Sequence, residues 1–128
     1  MSFLSISTTV FAPLQERLSE GCRVIIPGDE LYDTARRAWN LAVDQYPALI
    51  VKAQTAPDIV ETIRFAQAQH LPVAVTGTGH GVIRNADDCL LLDTSQLAGV
   101  RLDVPSQTAW VGAGTKWDAV LKAAHAVG

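Results

Sequence analysis

Three short apolar runs set the narrowest limits on how this chain can fold: PALIVKA (47–53), PVAVTG (72–77) and CLLLDTS (89–95). At that length a buried strand fits better than a helix. Between the first two lies TAPDIVETIRFAQAQH. It opens with a capping-box pattern, in which Thr55 accepts from the backbone three residues on and Asp58 reaches back. Pro57 falls in the first turn, where its missing N–H costs nothing. Ile59, Ile63 and Ala66 share one face of that helix. Strand, helix and strand of these lengths predict a parallel βαβ unit, because parallel strands need a long crossover.

The flanking segments extend this pattern. The residues up to about 20 predict a short helix around Leu14 and Leu18. DELYDTARRAWN places Leu31, Ala35, Ala38 and Trp39 on one helical stripe, with Asp29 as its cap. After Gly99, VRLDV and TAWVGAG alternate in polarity and are joined by Pro105-Ser106-Gln107, which predicts an antiparallel hairpin. TKWDAVLKAAHAVG repeats the capping pattern with Thr115 and Asp118, and stacks Trp117, Val120, Leu121 and Ala124. The expected class is α+β: a parallel βαβ unit, then the start of an antiparallel α+β unit. Because nothing follows that last helix to use it, the expectation is a chain that stops partway through a larger architecture.

Composition narrows the partners. Hydrophobic residues make up 48% of the 128 and charged residues 18%, enough for one cored domain. The net charge of -3 and the lack of a lysine-rich run argue against nucleic acid as a partner. No apolar run approaches a membrane span, and no secretory signal is read at the N-terminus. Cys22 and Cys89 form no CxxC pair, which fits a reducing compartment. The expected location is the cytoplasm. His70, His80 and His125 show no ligand spacing, so no metal site is expected.

The chemistry concentrates in Gly77-Thr78-Gly79-His80-Gly81, directly after the second strand. In open α/β sheets, ligands bind beyond the carboxyl ends of the strands. Glycines there let main-chain N–H groups converge into an anion-binding nest. A P-loop would require Gly-Lys-Ser/Thr, which is absent, and no Rossmann fingerprint opens a helix here. A nucleophile elbow is also missing. Two readings remain open at this point. The loop cradles a phosphate-bearing cofactor, or it is a structural turn in a non-enzymatic α/β binding or interaction domain.

The stretch VAVTGTGHGVIRNADDCLLLDTSQLAGVRLDVPSQTAWVGAGTKWDAVLKAA resembles the first part of the PCMH-type FAD-binding domain of the vanillyl-alcohol oxidase superfamily. Within it the nearest resemblance is to the berberine-bridge-enzyme-like group, which includes 6-hydroxynicotine oxidase. The opening PGD…YD…WN…PA-IV, through Pro27, Gly28, Asp29, Tyr32, Asp33, Trp39, Asn40, Pro47 and Ala48, fits the same group. The resemblance implies FAD as cofactor and an oxidoreductase that takes hydride from a C–H next to oxygen or nitrogen. The family loop usually reads Arg-Gly-Gly-Gly-His-Ser and wraps the pyrophosphate, and its histidine commonly carries the flavin covalently. Here His80 matches that histidine, Gly77 and Gly79 match family glycines, and Thr76, Thr78 and Gly81 depart from the usual residues.

The resemblance therefore implies that Thr76, Gly77, Thr78, Gly79, His80, Gly81, Val82, Ser95 and Leu97 bind the cofactor, with His80 as attachment site. It implies an N-terminal segment (1–23), a first FAD-binding subdomain (24–98) and the start of a second (99–128). A small-molecule substrate and the remaining C-terminal part of the same protein are the implied partners. The catalytic base is not assigned. Trp39 and Trp117 are expected in the core, Tyr32 and Asn40 in structural hydrogen bonds, and Cys89 as a small buried residue. Gly112 and Gly114 are candidates for close backbone approach.

Overall fold

The computed structural model describes residues 8–128. In chain order the elements are α1 (Thr8–Arg17), β1 (Arg23–Ile25), α2 (Tyr32–Ala35), β2 (Leu49–Lys52), α3 (Ala56–Ala68), β3 (Val73–Thr76), β4 (Leu90–Asp93), β5 (Val100–Asp103), β6 (Thr108–Val111) and α4 (Trp117–His125). One sheet runs β1-β2-β4-β3 and a second is the hairpin β5-β6. The three apolar runs are β2, β3 and β4, all parallel, and the hairpin is antiparallel. The α+β expectation therefore holds. The helix α3 crosses from β2 to β3, and β4 then returns between them.

Strand alternation divides the core into two layers. Leu49, Val51, Leu90 and Leu92 face one side with Leu14, Ala66 and the partly buried Phe65. Ile50 and Leu91 face the other with Ile25, Tyr32 and Ala86. The first layer is roofed by α1 and α3, and Leu14 is the anchor of α1 as expected. The part of the expected first helix before Thr8 lies outside the described residues.

The capping box on α3 is present, and Asp58 does more than cap. Its carboxylate accepts from the Ser19 N–H (2.7 Å), the Ser19 hydroxyl (2.7 Å), the Gln54 N–H (3.0 Å) and the Thr55 N–H (2.8 Å). These bonds turn Asp58 inward and tie the chain after α1 to the start of α3. The buried row of the helix is consequently Asp58, Thr62 and Ala66, with Ile59 beside it. Ile63, expected on the apolar face, is 43% exposed.

Two other helices depart from expectation. The segment after Asp29 yields only the four residues of α2. Asp29 does not cap it; its carboxylate accepts from the Ile26 N–H (2.9 Å). Polar capture ends the helix early. Arg36 is drawn to Asp33, Asp44 and the Gln45 carbonyl, while the Gln45 amide donates to the Arg36 carbonyl (2.8 Å). Of the expected stripe Ala38 is buried and Ala35 packs against the second layer, while Leu31 and Trp39 are exposed; Tyr32 adds a buried contact, its hydroxyl donating to the Pro47 carbonyl (2.7 Å). In α4, Thr115 is not the cap, because its hydroxyl is engaged with the N–H and carbonyl of Gly99. Of the stripe on that helix only Val120 is buried, while Trp117 and Leu121 are 74% and 65% exposed.

Burial alone would raise the Asp58 pKa, but the bonds from Ser19, Gln54 and Thr55 outweigh it and hold the carboxyl at about 2, below its ordinary 3.8. Its stabilising contribution is complete above the unfolded value and is lost as pH falls through the folded one. That contribution is about 2 kcal/mol. Asp58→Asn is expected to lower the unfolding free energy by about 2–3 kcal/mol. Urea unfolding followed by circular dichroism checks this. The variant should also lose less stability than the native chain between about pH 4 and pH 2.

Candidate functional site

The register of the parallel strands puts Lys52 opposite Asp93 and Thr76 opposite Asp93. All three stand at carboxyl ends, so the segments that follow β2, β3 and β4 leave the sheet at one level. A cavity of about 570 Å³ opens there. Thr76, Gly77, Thr78 and Gly79 form one wall, and Asp93, Ser95 and Gln96 another. Five of the residues expected to hold the cofactor (Thr76, Gly77, Thr78, Gly79 and Ser95) are thus brought together. His80, Gly81, Val82 and Leu97 lie outside this lining.

The loop's backbone is shaped for close contact. Gly79 and Gly81 have φ of +77° and +73°, a region that side chains disfavour. A Cβ on Gly77 would sit 2.8 Å from the Ala113 carbonyl oxygen. Among the described residues no chain group accepts from the N–H groups of residues 78 to 82. Unpaired, clustered main-chain donors are the chemistry of an anion nest.

Residues not foreseen at the site complete it. Arg23 from β1, Arg37 from the segment after α2 and Lys52 from β2 all line the cavity. Lys52 has a carboxylate partner, Asp93, at 3.8 Å. Among the described residues Arg23 and Arg37 have no carboxylate within bridging distance, in contrast to Arg36 between Asp33 and Asp44. In a chain with net charge -3, two unneutralised guanidinium groups at one cavity mark a local anion preference. The carboxyl-end rule applied to the first strand would have found Lys52. Nothing local marks Arg23, whose place depends on an antiparallel pairing of three residues.

The return of the loop is pinned. The Ala86 N–H donates to the Gln45 side chain (3.1 Å), and the Tyr46 N–H donates to the Asp87 carboxylate (2.7 Å). At its start, the Gly79 carbonyl accepts from the Trp39 N–H (2.8 Å). Trp39 is not in the core as expected. It is 72% exposed, and its ring lies 5.1 Å from that of His80. Trp117 is likewise exposed rather than buried, since among the described residues nothing covers that face of α4.

The remaining sequence expectations resolve simply. Tyr32 and Asn40 are structural: Asn40 accepts from the Ala42 N–H (3.0 Å). Cys89 is half-buried against the second core layer, and burial raises its thiol pKa. Leu97 acts through its backbone, accepting from the Gly114 N–H (3.1 Å). Gly112 and Gly114 do mark close approach, because a Cβ on either would fall within 2.2 Å and 2.4 Å of carbonyl oxygens of Leu97 and Thr94. No helix among the described residues is long and apolar enough to cross a membrane.

Strand ends, a glycine loop and cations meet around one cavity, and comparisons with known proteins place the chain in a family. The profile of the FAD binding domain family matches residues 47–128. The FAD-linked oxidoreductase chyH of Penicillium rubens is 29% identical over 122 residues, 92% of this chain and 24% of that protein. YvdP of Bacillus subtilis, an uncharacterized FAD-linked oxidoreductase, is 33% identical over 95 residues, 72% of this chain and 21% of that protein. The structure of 6-hydroxy-D-nicotine oxidase from Arthrobacter nicotinovorans superposes with a TM-score of 0.74 at 27% identity, covering 89% of this chain and 25% of that one. The BBE-like 1 protein of Physcomitrella patens gives 0.68 at 27% identity, covering 84% and 23%. The chain spans about a quarter of the length of the curated relatives it matches.

Gly77→Ala forces a methyl group against the Ala113 carbonyl. It is expected to destabilise the chain by about 1–3 kcal/mol, the usual range for overpacking. A urea unfolding midpoint equal to that of the native chain would show that the contact is not tight.

Proposed function

This chain belongs to the FAD binding domain family, and on that premise we propose that it is the dinucleotide-holding part of a flavin-dependent oxidoreductase acting on a small molecule. The observation that carries the reading is that the unpaired N–H groups of Thr78 and Gly79 meet the unneutralised Arg23 and Arg37 at one cavity. The main-chain amides and the two guanidinium groups hold the diphosphate, and Thr76, Gly77 and Ser95 shape its bed. His80, directly after Thr78 and Gly79 and exposed, is the residue that carries the flavin covalently. Gly81, Val82 and Leu97 complete the cofactor contacts.

FAD, when bound, supplies a two-electron acceptor for hydride from a C–H next to oxygen or nitrogen. One structural relative is named as a 6-hydroxy-D-nicotine oxidase. The present residues bind and orient the cofactor. The substrate pocket and catalytic base belong to sequence that the longer relatives have outside this match. In this reading residues 24–98 and 99–128 are the first FAD-binding subdomain and the start of a second. The unpaired Cys22 and Cys89 fit a reducing compartment, the cytoplasm.

The full-length protein is the material for the test. It is expected to purify with flavin absorbance that survives acid precipitation. His80→Ala should still bind FAD but release all of it to acid. A colourless protein that does not take up added FAD would overturn the reading. A second measurement addresses the cations. Arg23→Gln and Arg37→Gln are each expected to weaken FAD binding roughly two- to fivefold, as for exposed ion pairs. Both should also flatten its dependence on salt, measured by flavin fluorescence titration.

A further inference from the structure

Trp39 is a large apolar residue left exposed on a backbone that is itself hydrogen-bonded in place. Ala38 before it is buried, and the Asn40 side chain turns the chain after it by accepting from the Ala42 N–H. Its own N–H is committed to the Gly79 carbonyl at 2.8 Å. The segment is therefore fixed, yet the indole stands 72% exposed instead of folding inward. It lies against the His80 imidazole, centroids 5.1 Å apart and planes inclined by 54°. Tilted aromatic pairs at this separation are attractive.

His80 has little else to orient it. It stands between Gly79 and Gly81, both in the left-handed region. Among the described residues no hydrogen bond holds its ring nitrogens. A ring on a glycine-flanked backbone turns freely unless a neighbour restrains it. The indole is that neighbour. The two rings meet at a tilt, and the His80 side chain is otherwise exposed.

We propose that Trp39 is the positioning residue for His80: its indole holds the imidazole in the orientation in which His80 meets the flavin. This rests on the assignment of His80 made above. The role is distinct from a folding role, since an indole this exposed contributes little buried surface. Aromatic character, rather than bulk, is what the contact requires, so phenylalanine should serve and leucine should not.

The experiment compares the full-length protein with its Trp39→Phe and Trp39→Leu variants, in three readouts. The first is NMR of protein labelled at histidine Cε1, with the His80 resonance assigned from His80→Ala. Ring-current displacement of that resonance is expected in the native and phenylalanine proteins and lost in the leucine variant. The second is the acid-stable flavin fraction, expected near native with phenylalanine and several-fold lower with leucine. The third is non-covalent FAD affinity together with the melting temperature, expected unchanged in both. A leucine variant with native acid-stable flavin and an unmoved His80 resonance overturns the proposal. So does one that loses FAD affinity and thermal stability together, which is the signature of a structural residue. If the native protein yields all its flavin to acid, the attachment at His80 is refuted. The resonance then decides the pairing by itself: leucine moving it sustains the contact, and leucine leaving it unmoved refutes it.

Discussion

The site depends on the level register of three parallel strands. Lys52, Thr76 and Asp93 stand side by side because β4 pairs with β2 and β3 without stagger. Shifting any one strand by a residue would reverse its faces and bury the wrong side chains. The apolar runs Leu49–Val51 and Leu90–Leu92 end together at Lys52 and Asp93, so a slip would draw a charged side chain into the buried layers. Packing in the interior therefore determines which atoms meet at the sheet's edge. Three loops leave from one line, and only there can their main-chain donors and the side chains around them converge.

The glycine loop is held at both ends although its middle makes few contacts. Gln45 and Tyr46 fix its return at Ala86 and Asp87, while the Trp39 amide fixes its start at Gly79. Gln45 is in turn tied to Arg36. The short turn that ends α2 is thus part of the loop's frame, and the carboxylates that neutralise Arg36 keep it out of the cavity's charge. Arg37, one residue on, lines the cavity with no carboxylate partner among the described residues.

Local signals were legible in the sequence wherever one stretch of chain settled its own structure. The Thr55/Asp58 capping box, the three apolar runs and the Pro105-Ser106-Gln107 hairpin needed no distant partner, and each appears as read. Strand order was not legible, because β4 could have joined either edge. Helical periodicity placed Trp39, Trp117 and Ile63 on apolar stripes, but periodicity reports which residues share a face and not whether anything covers it. Thr115 had the right spacing to cap α4, yet Gly99 lay near enough to claim its hydroxyl. The glycine loop was recognisable from composition and from its place after a strand. Arg23 and Arg37 were not, since cations carry no pattern until the fold brings them to a common wall.

The seam between the parallel sheet and the hairpin unit is made of main chain. At Gly77, Gly112 and Gly114 the main chain of one unit rests directly on the carbonyls of the other, leaving no space for even a methyl group. A junction made of bare backbone recognises shape and not side-chain identity. A side chain at any of these three positions would have to push the parallel sheet and the hairpin apart, so the relative placement of the two rests on three α-carbons that each keep two hydrogens.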